Sequence, residues 1–166
     1  MLSMFKSETV PKDILREATF HQSSVTNSYR ASPHEGALHD ITERLDGLSA
    51  DRMLVFSSKV QLKDGTIKHI PMMDFHCPVS AYSADIVQFV ASQFNVGDGF
   101  LVETDKSYHF YGSELLDQKA LVEFLARALL FTPIVDRAWI SHQLIELCCA
   151  LRISSRQPAR KPLAVI

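Results

Sequence analysis

The sequence predicts an α+β fold, an antiparallel sheet with helices packed on one face, and three observations carry that reading. Asp64-Gly65 separates two runs rich in β-branched and apolar residues, the pattern of a β-hairpin. Apolar residues recur at helical spacing elsewhere, first at Leu38, Ile41, Leu45 and Leu48. Read along the chain, the elements run α, ββ, α, ββ, α, α, β, and strand pairs interleaved with helices are an α+β plan.

The elements follow in order. Residues 1–36 read as an N-terminal extension, in which Lys12 to Phe20 can form a short helix and Gln22 to Glu35 is a polar loop. A single domain is expected over residues 37–166. Its first helix begins at Ala37 and stops near Gly47 and Ser49. Met53 to Leu62 and Thr66 to His76 form two antiparallel strands, both turn positions between them calling for positive φ, and Pro71 must sit at an edge or a bulge. Ser80 opens a second helix, with Tyr82, Ile86, Phe89, Val90 and Phe94 as its apolar face. Val96 to Gly99 is a turn. Phe100 to Glu103 and Ser107 to Tyr111 make a second hairpin, turning at Thr104-Asp105-Lys106. Asp117 caps a third helix whose buried side carries Leu121, Phe124, Leu125, Ala128 and Leu129, and Pro133 stops it. A fourth helix covers about Arg137 to Cys148, with Trp139 and Ile140 in the core. A last strand covers about Ala150 to Ser154, followed by a basic tail and an apolar end.

Composition excludes some functions. A chain of 166 residues with 46% hydrophobic content supports one sizeable core. Its formal charge of -2 provides no global basic field, so nucleic-acid contact must come from a local patch. No apolar run suits a signal peptide or a membrane span, so the expected location is the cytoplasm, with no membrane partner. The three cysteines, Cys77, Cys148 and Cys149, have no CxxC spacing and read as small buried hydrophobes.

Four places hold residues suited to chemistry. Asp74 and His76 stand two apart at the end of a strand, so both side chains leave the same face while Phe75 points the other way. A carboxylate and an imidazole can hold a divalent ion such as Mn²⁺ or Zn²⁺, or can simply meet water. Ser107 and His109 repeat the spacing on the second hairpin. With Lys106 they can bind phosphate oxygens, or they can be an ordinary strand face. Asp136 precedes the fourth helix, where it can be a metal ligand or an N-cap. Arg152, Arg156, Arg160 and Lys161 concentrate positive charge near the C-terminus, a phosphate patch or a solvated tail.

In chain order these segments resemble the archaeo-eukaryotic primase superfamily. The family pattern has a strand ending in two acids with one residue between, then Ser-x-His on a later strand, then a hydrophobic-Asp pair, then Leu-Arg-hydrophobic. Here the four are Met73-Asp74-Phe75-His76, Ser107-Tyr108-His109, Val135-Asp136 and Leu151-Arg152-Ile153-Ser154, spanning roughly Met53 to Ser155. The resemblance is to compact single-domain members, and it implies an RRM-like sheet with the site on its open face. It implies that Asp74 and Asp136, with His76 in the place of the second acid, face divalent metal, Mn²⁺ or Mg²⁺. It also implies that Ser107 and His109, with Lys106 and Arg152 nearby, contact the phosphates of a nucleoside triphosphate, and nucleic acid with it. In the family such ions activate a 3′ hydroxyl for nucleotidyl transfer.

The departure lies at His76. A neutral imidazole brings one nitrogen and no charge, and Mg²⁺ prefers hard oxygen ligands. The expectation is therefore a nucleotide-binding protein with polymerase activity weakened or lost. Two readings compete with it: a non-catalytic interaction module that self-associates as a homo-oligomer, and a metal-dependent phosphodiesterase using Asp74, His76 and His109.

Overall fold

The computed structural model describes residues 37–49 and 52–153. Ala37 apart, these belong to one compact unit spanning Leu38–Ile166. The expected helix at Lys12 to Phe20 and the tail residues Arg156, Arg160 and Lys161 lie outside the described residues.

The element order is α1 (Ala37–Asp46), β1 (Val55–Ser57), β2 (Lys59–Gln61), β3 (Ile67–His69), β4 (Met72–Asp74), α2 (Ala81–Ser92), β5 (Gly99–Glu103), β6 (Tyr108–Gly112), α3 (Gln118–Ala128), a 3₁₀ turn (Leu129–Phe131), α4 (Arg137–Glu146) and β7 (Ala150–Arg152). The fold is α+β with antiparallel sheets. Among the described residues a three-stranded sheet runs in the order β4-β6-β5, beside two strand pairs, β1-β7 and β2-β3.

The first predicted strand pair is broken in two places. Ser58 separates β1 from β2, and Ile70-Pro71 separates β3 from β4. Ser58 acts as a junction: its N–H donates to the Cys149 carbonyl at 2.8 Å and its carbonyl accepts from Ile70 at 2.9 Å. The first half of the strand is thereby handed to β7, with Val55 opposite Arg152. Fully buried Ser58 also places its hydroxyl 3.1 Å from Nδ1 of buried His69 and accepts the Cys149 N–H at 3.0 Å. Burial pushes the His69 pKa down, so this pair is a neutral network tying three strands together.

The hairpin also differs from expectation at its tip. The Leu62 N–H bonds Thr66 and the Gly65 N–H bonds Leu62, leaving Lys63, Asp64 and Gly65 as the loop. Gly65 alone takes positive φ there, +86°. Asp64 instead turns its carboxylate onto the Thr66 N–H at 2.8 Å, which stabilises a three-residue loop.

The helices start where side-chain acceptors stand. Ser80 accepts from the Ser83 N–H at 3.0 Å and Asp117 from the Ala120 N–H at 2.8 Å. The second helix faces the core differently from the sequence reading. Tyr82 and Phe89 are exposed, whereas Ser83, Val87 and Val90 are buried. The small Ser83 is admitted because its hydroxyl accepts from Ser80 at 2.9 Å. In α3, Leu121, Phe124, Leu125 and Ala128 are buried, and Leu129 is half-buried in the 3₁₀ turn that follows. On α4, Ile140 is buried while Trp139 is only partly so, its ring N–H donating to the Ala150 carbonyl at 3.0 Å.

Pleat alternation sorts the three-stranded sheet into two faces. Met73, Phe110 and Leu101 form one cross-strand row, and Phe75 and Tyr108 stand on the same side, all of them buried. They belong to one core with Val87 and Val90 of α2, Leu121 and Phe124 of α3 and Ile140 of α4. The opposite face carries the polar residues. Cys149 is buried, and burial with the neighbouring Cys148 pushes its thiol up to about 12, while Cys77 and Cys148 are half-buried.

Candidate functional site

Strand register brings the first two motifs together. Asp74 on β4 lies directly opposite His109 on β6, and Val102 of β5 completes the row. The Asp74 carboxylate is 3.5 Å from His109 Nε2, too long for a strong charge-assisted hydrogen bond. The His109 side chain is 12% exposed. Burial disfavours its imidazolium form and the Arg152 guanidinium disfavours it further, holding its pKa at about 4. At neutral pH His109 is therefore an uncharged imidazole, able to donate one hydrogen bond and accept another.

The third motif joins through the backbone. Phe75 and Val135 form an antiparallel bridge, flanked by hydrogen bonds from the His76 N–H to Ile134 at 2.7 Å and from the Asp136 N–H to Asp74 at 2.9 Å. Both bridge residues are buried, so their neighbours Asp74, His76 and Asp136 turn toward the other side. The Asp136 carboxylate then works twice. Its Oδ1 caps α4 by accepting the Trp139 N–H at 2.9 Å, while Oδ2 lies 3.9 Å from Nδ1 of His76. The His76 side chain is 76% exposed, so this contact is weak.

Ser107 is engaged differently from a phosphate ligand. Its hydroxyl donates to the Phe75 carbonyl at 2.6 Å and accepts the Cys77 N–H at 3.2 Å. It clips the chain leaving β4, on which His76 rides. Lys106 is exposed in the turn before it, its N–H on Thr104 Oγ1 at 3.4 Å. Arg152 ends β7, and its charge is felt at His109.

Tyr111 belongs to the same face and escaped the sequence reading. It lies two residues beyond His109, and its ring centroid is 6.4 Å from the imidazole. Burial and the Asp74 carboxylate push its phenol up to about 12. Continuing the period-two count along β6 past His109 would have found it.

The donor set fits two Mg²⁺ ions poorly. Two carboxylates cannot balance two divalent ions, and the pairs Asp74–His109 and His76–Asp136 stand side by side. Among the described residues no three His, Cys, Asp or Glu side chains gather as a metal-holding group. At most one ion of a metal that accepts mixed oxygen and nitrogen ligands suits these residues.

A protein-family model described as archaeo-eukaryotic primase 1D-like matches residues 36–165. The chain belongs to the archaeo-eukaryotic primase-like family. The match spans all four motifs, and this primase-like protein has the α+β fold with antiparallel sheets that the family implies. Membership gives it a primase-like, nucleic-acid-related function. No curated protein and no solved structure matches the chain. No helix among the described residues is long and apolar enough to cross a membrane.

Proposed function

We propose that this primase-like protein binds a nucleoside triphosphate, and nucleic acid with it, on the face carrying Asp74, His109 and Arg152, and that its polymerase activity is weakened or lost. One observation carries the reading. The residue two after Asp74 is His76, which stands in solvent beside Asp136 and adds no carboxylate to the pair. Neutral His109 and Arg152 are suited to phosphate oxygens, the first as a hydrogen-bond donor and the second as a charge. Lys106 adds to the local positive charge, and Ser107 holds the loop. A single divalent ion, Mn²⁺ better than Mg²⁺, is proposed at Asp74 and Asp136. A cytoplasmic location belongs to the same proposal, whereas a homo-oligomer is what the rival reading, a non-catalytic interaction module, expects.

Calorimetric titration of the protein with a nucleoside triphosphate and Mn²⁺ tests the binding, and a primer-extension assay tests the chemistry. Binding to the wild type that Asp74→Ala weakens, with little or no extension, is expected. Replacing His76→Asp restores the acidic pair and should raise extension above that of the wild type. Robust extension by the wild type, or no binding at about millimolar ligand, around the weak limit of specific recognition, would sink the reading.

A further inference from the structure

The site face has a second row beside the polar one. Across β4, β6 and β5 the polar row is Asp74, His109 and Val102, and the next row is Met72, Tyr111 and Phe100. Exposure rises across this second row, from fully buried Met72 through half-buried Tyr111 to Phe100, which is 63% exposed. The β4 side is covered: Phe56 of β1 sets its ring 6.3 Å from that of Tyr111. The β5 side is the sheet's outer strand, and there a large aromatic ring stands in water on a sheet face. Tyr82 and Phe89 of α2 are exposed as well, but Phe100 shares its sheet face with the polar row.

We propose that Phe100 is a stacking platform for the base of a bound nucleotide, whether free or within a single strand. This rests on the nucleotide-binding reading above. The rows are about 7 Å apart along the strands, a gap that one ribose bridges between a phosphate and its base. A phosphate held at His109 in the first row, with Arg152 of β7 adding charge, therefore sets its base over the second. Met72 is sealed and Tyr111 is already packed between Phe56 and His109, so Phe100 offers the open ring face. A flat ring without hydrogen-bonding groups stacks on any base, so Phe100 supplies affinity without sequence preference. Positive charge together with an aromatic ring is the pairing that single-stranded nucleic acid demands, and Arg152 brings its charge from β7 at the His109 end of the site.

The test compares wild type, Phe100→Leu and Phe100→Trp with three probes: a nucleoside triphosphate, a fluorescent oligothymidylate and inorganic tripolyphosphate, which has no base. Leucine keeps the apolar bulk and removes the ring, so Phe100→Leu should weaken the oligonucleotide, the nucleotide or both by about 5- to 150-fold. Tripolyphosphate binding should stay unchanged, and Phe100→Trp should bind as wild type or tighter. Loss confined to the oligonucleotide assigns the base to a strand, and loss confined to the triphosphate assigns it to a free nucleotide. Equal affinity of wild type and Phe100→Leu for both base-bearing probes overturns the platform while leaving the phosphate site standing. Parallel loss of tripolyphosphate also overturns it, because Phe100 would then act through folding. Failure of the wild type to bind any of the three removes the nucleotide-binding reading and the platform together.

Discussion

Acidification sets the neighbours of His109 against each other. The Asp74 carboxylate at 3.5 Å favours imidazolium, whereas burial and Arg152 oppose it and hold the pKa at about 4, down from 6.5. The sign follows from the proton count. Between these two values the unfolded chain carries a proton on this residue and the folded chain does not, so acid favours unfolding. The contribution is fully present above the unfolded value of 6.5 and is lost as the pH falls from there toward 4. Going from about pH 7.5 to about pH 5 crosses roughly 1.5 units of that window, worth about 2 kcal/mol at 1.36 kcal/mol per unit. Urea unfolding of wild type and His109→Gln at both pH values isolates the effect, because His69 and the carboxylates are common to both proteins. Wild type should lose about 2 kcal/mol more than the variant between the two conditions. Proton NMR of the imidazole should find no titration above about pH 5. Parallel losses in the two proteins, or an imidazole titrating at or above its ordinary value, would show that Asp74 offsets burial and Arg152 and that His109 takes up its proton in mild acid.

Substitutions at two further positions separate structural from ligand-binding roles. Ser107→Ala removes both clip bonds to Phe75 and Cys77 and should cost about 1–2 kcal/mol in urea unfolding, with faster amide exchange at Cys77; unchanged stability and exchange would assign the hydroxyl to ligand instead. Asp136→Asn keeps a capping acceptor and should unfold within about 0.5 kcal/mol of wild type, whereas Asp136→Ala should lose about 1 kcal/mol. Equal stability of the two variants would remove the cap from the account.

Local chemistry was legible in the sequence where one residue decides the geometry. Asp117 and Ser80 announce helix starts because their oxygens meet backbone N–H groups a few residues on. The spacing of Asp74, Phe75 and His76 told which way each would face, since the pleat allows no other order. Long-range pairing was not legible. Nothing near Ser58 signals that the chain leaves one partner for another, because that switch depends on Cys149, distant in sequence. The buried side of α2 was misjudged for a related reason. Tyr82 and Phe89 looked like core, yet helix rotation is set by where the sheet lies, and small Ser83 fits where a ring does not. The Ser107 hydroxyl looked free because its acceptor, the Phe75 carbonyl, lies on another strand.

The two loads on Asp136 carry a consequence for how this site can drift. Folding itself guards that carboxylate, since α4 begins on it, so mutation there is felt whether or not any reaction is performed. Position 76 has no such guardian: its side chain stands in solvent and holds nothing up. Relaxed selection would therefore erode the pair from its unsupported end, leaving Asp136 in place, and an acidic residue at that position is poor testimony to catalysis when seen alone.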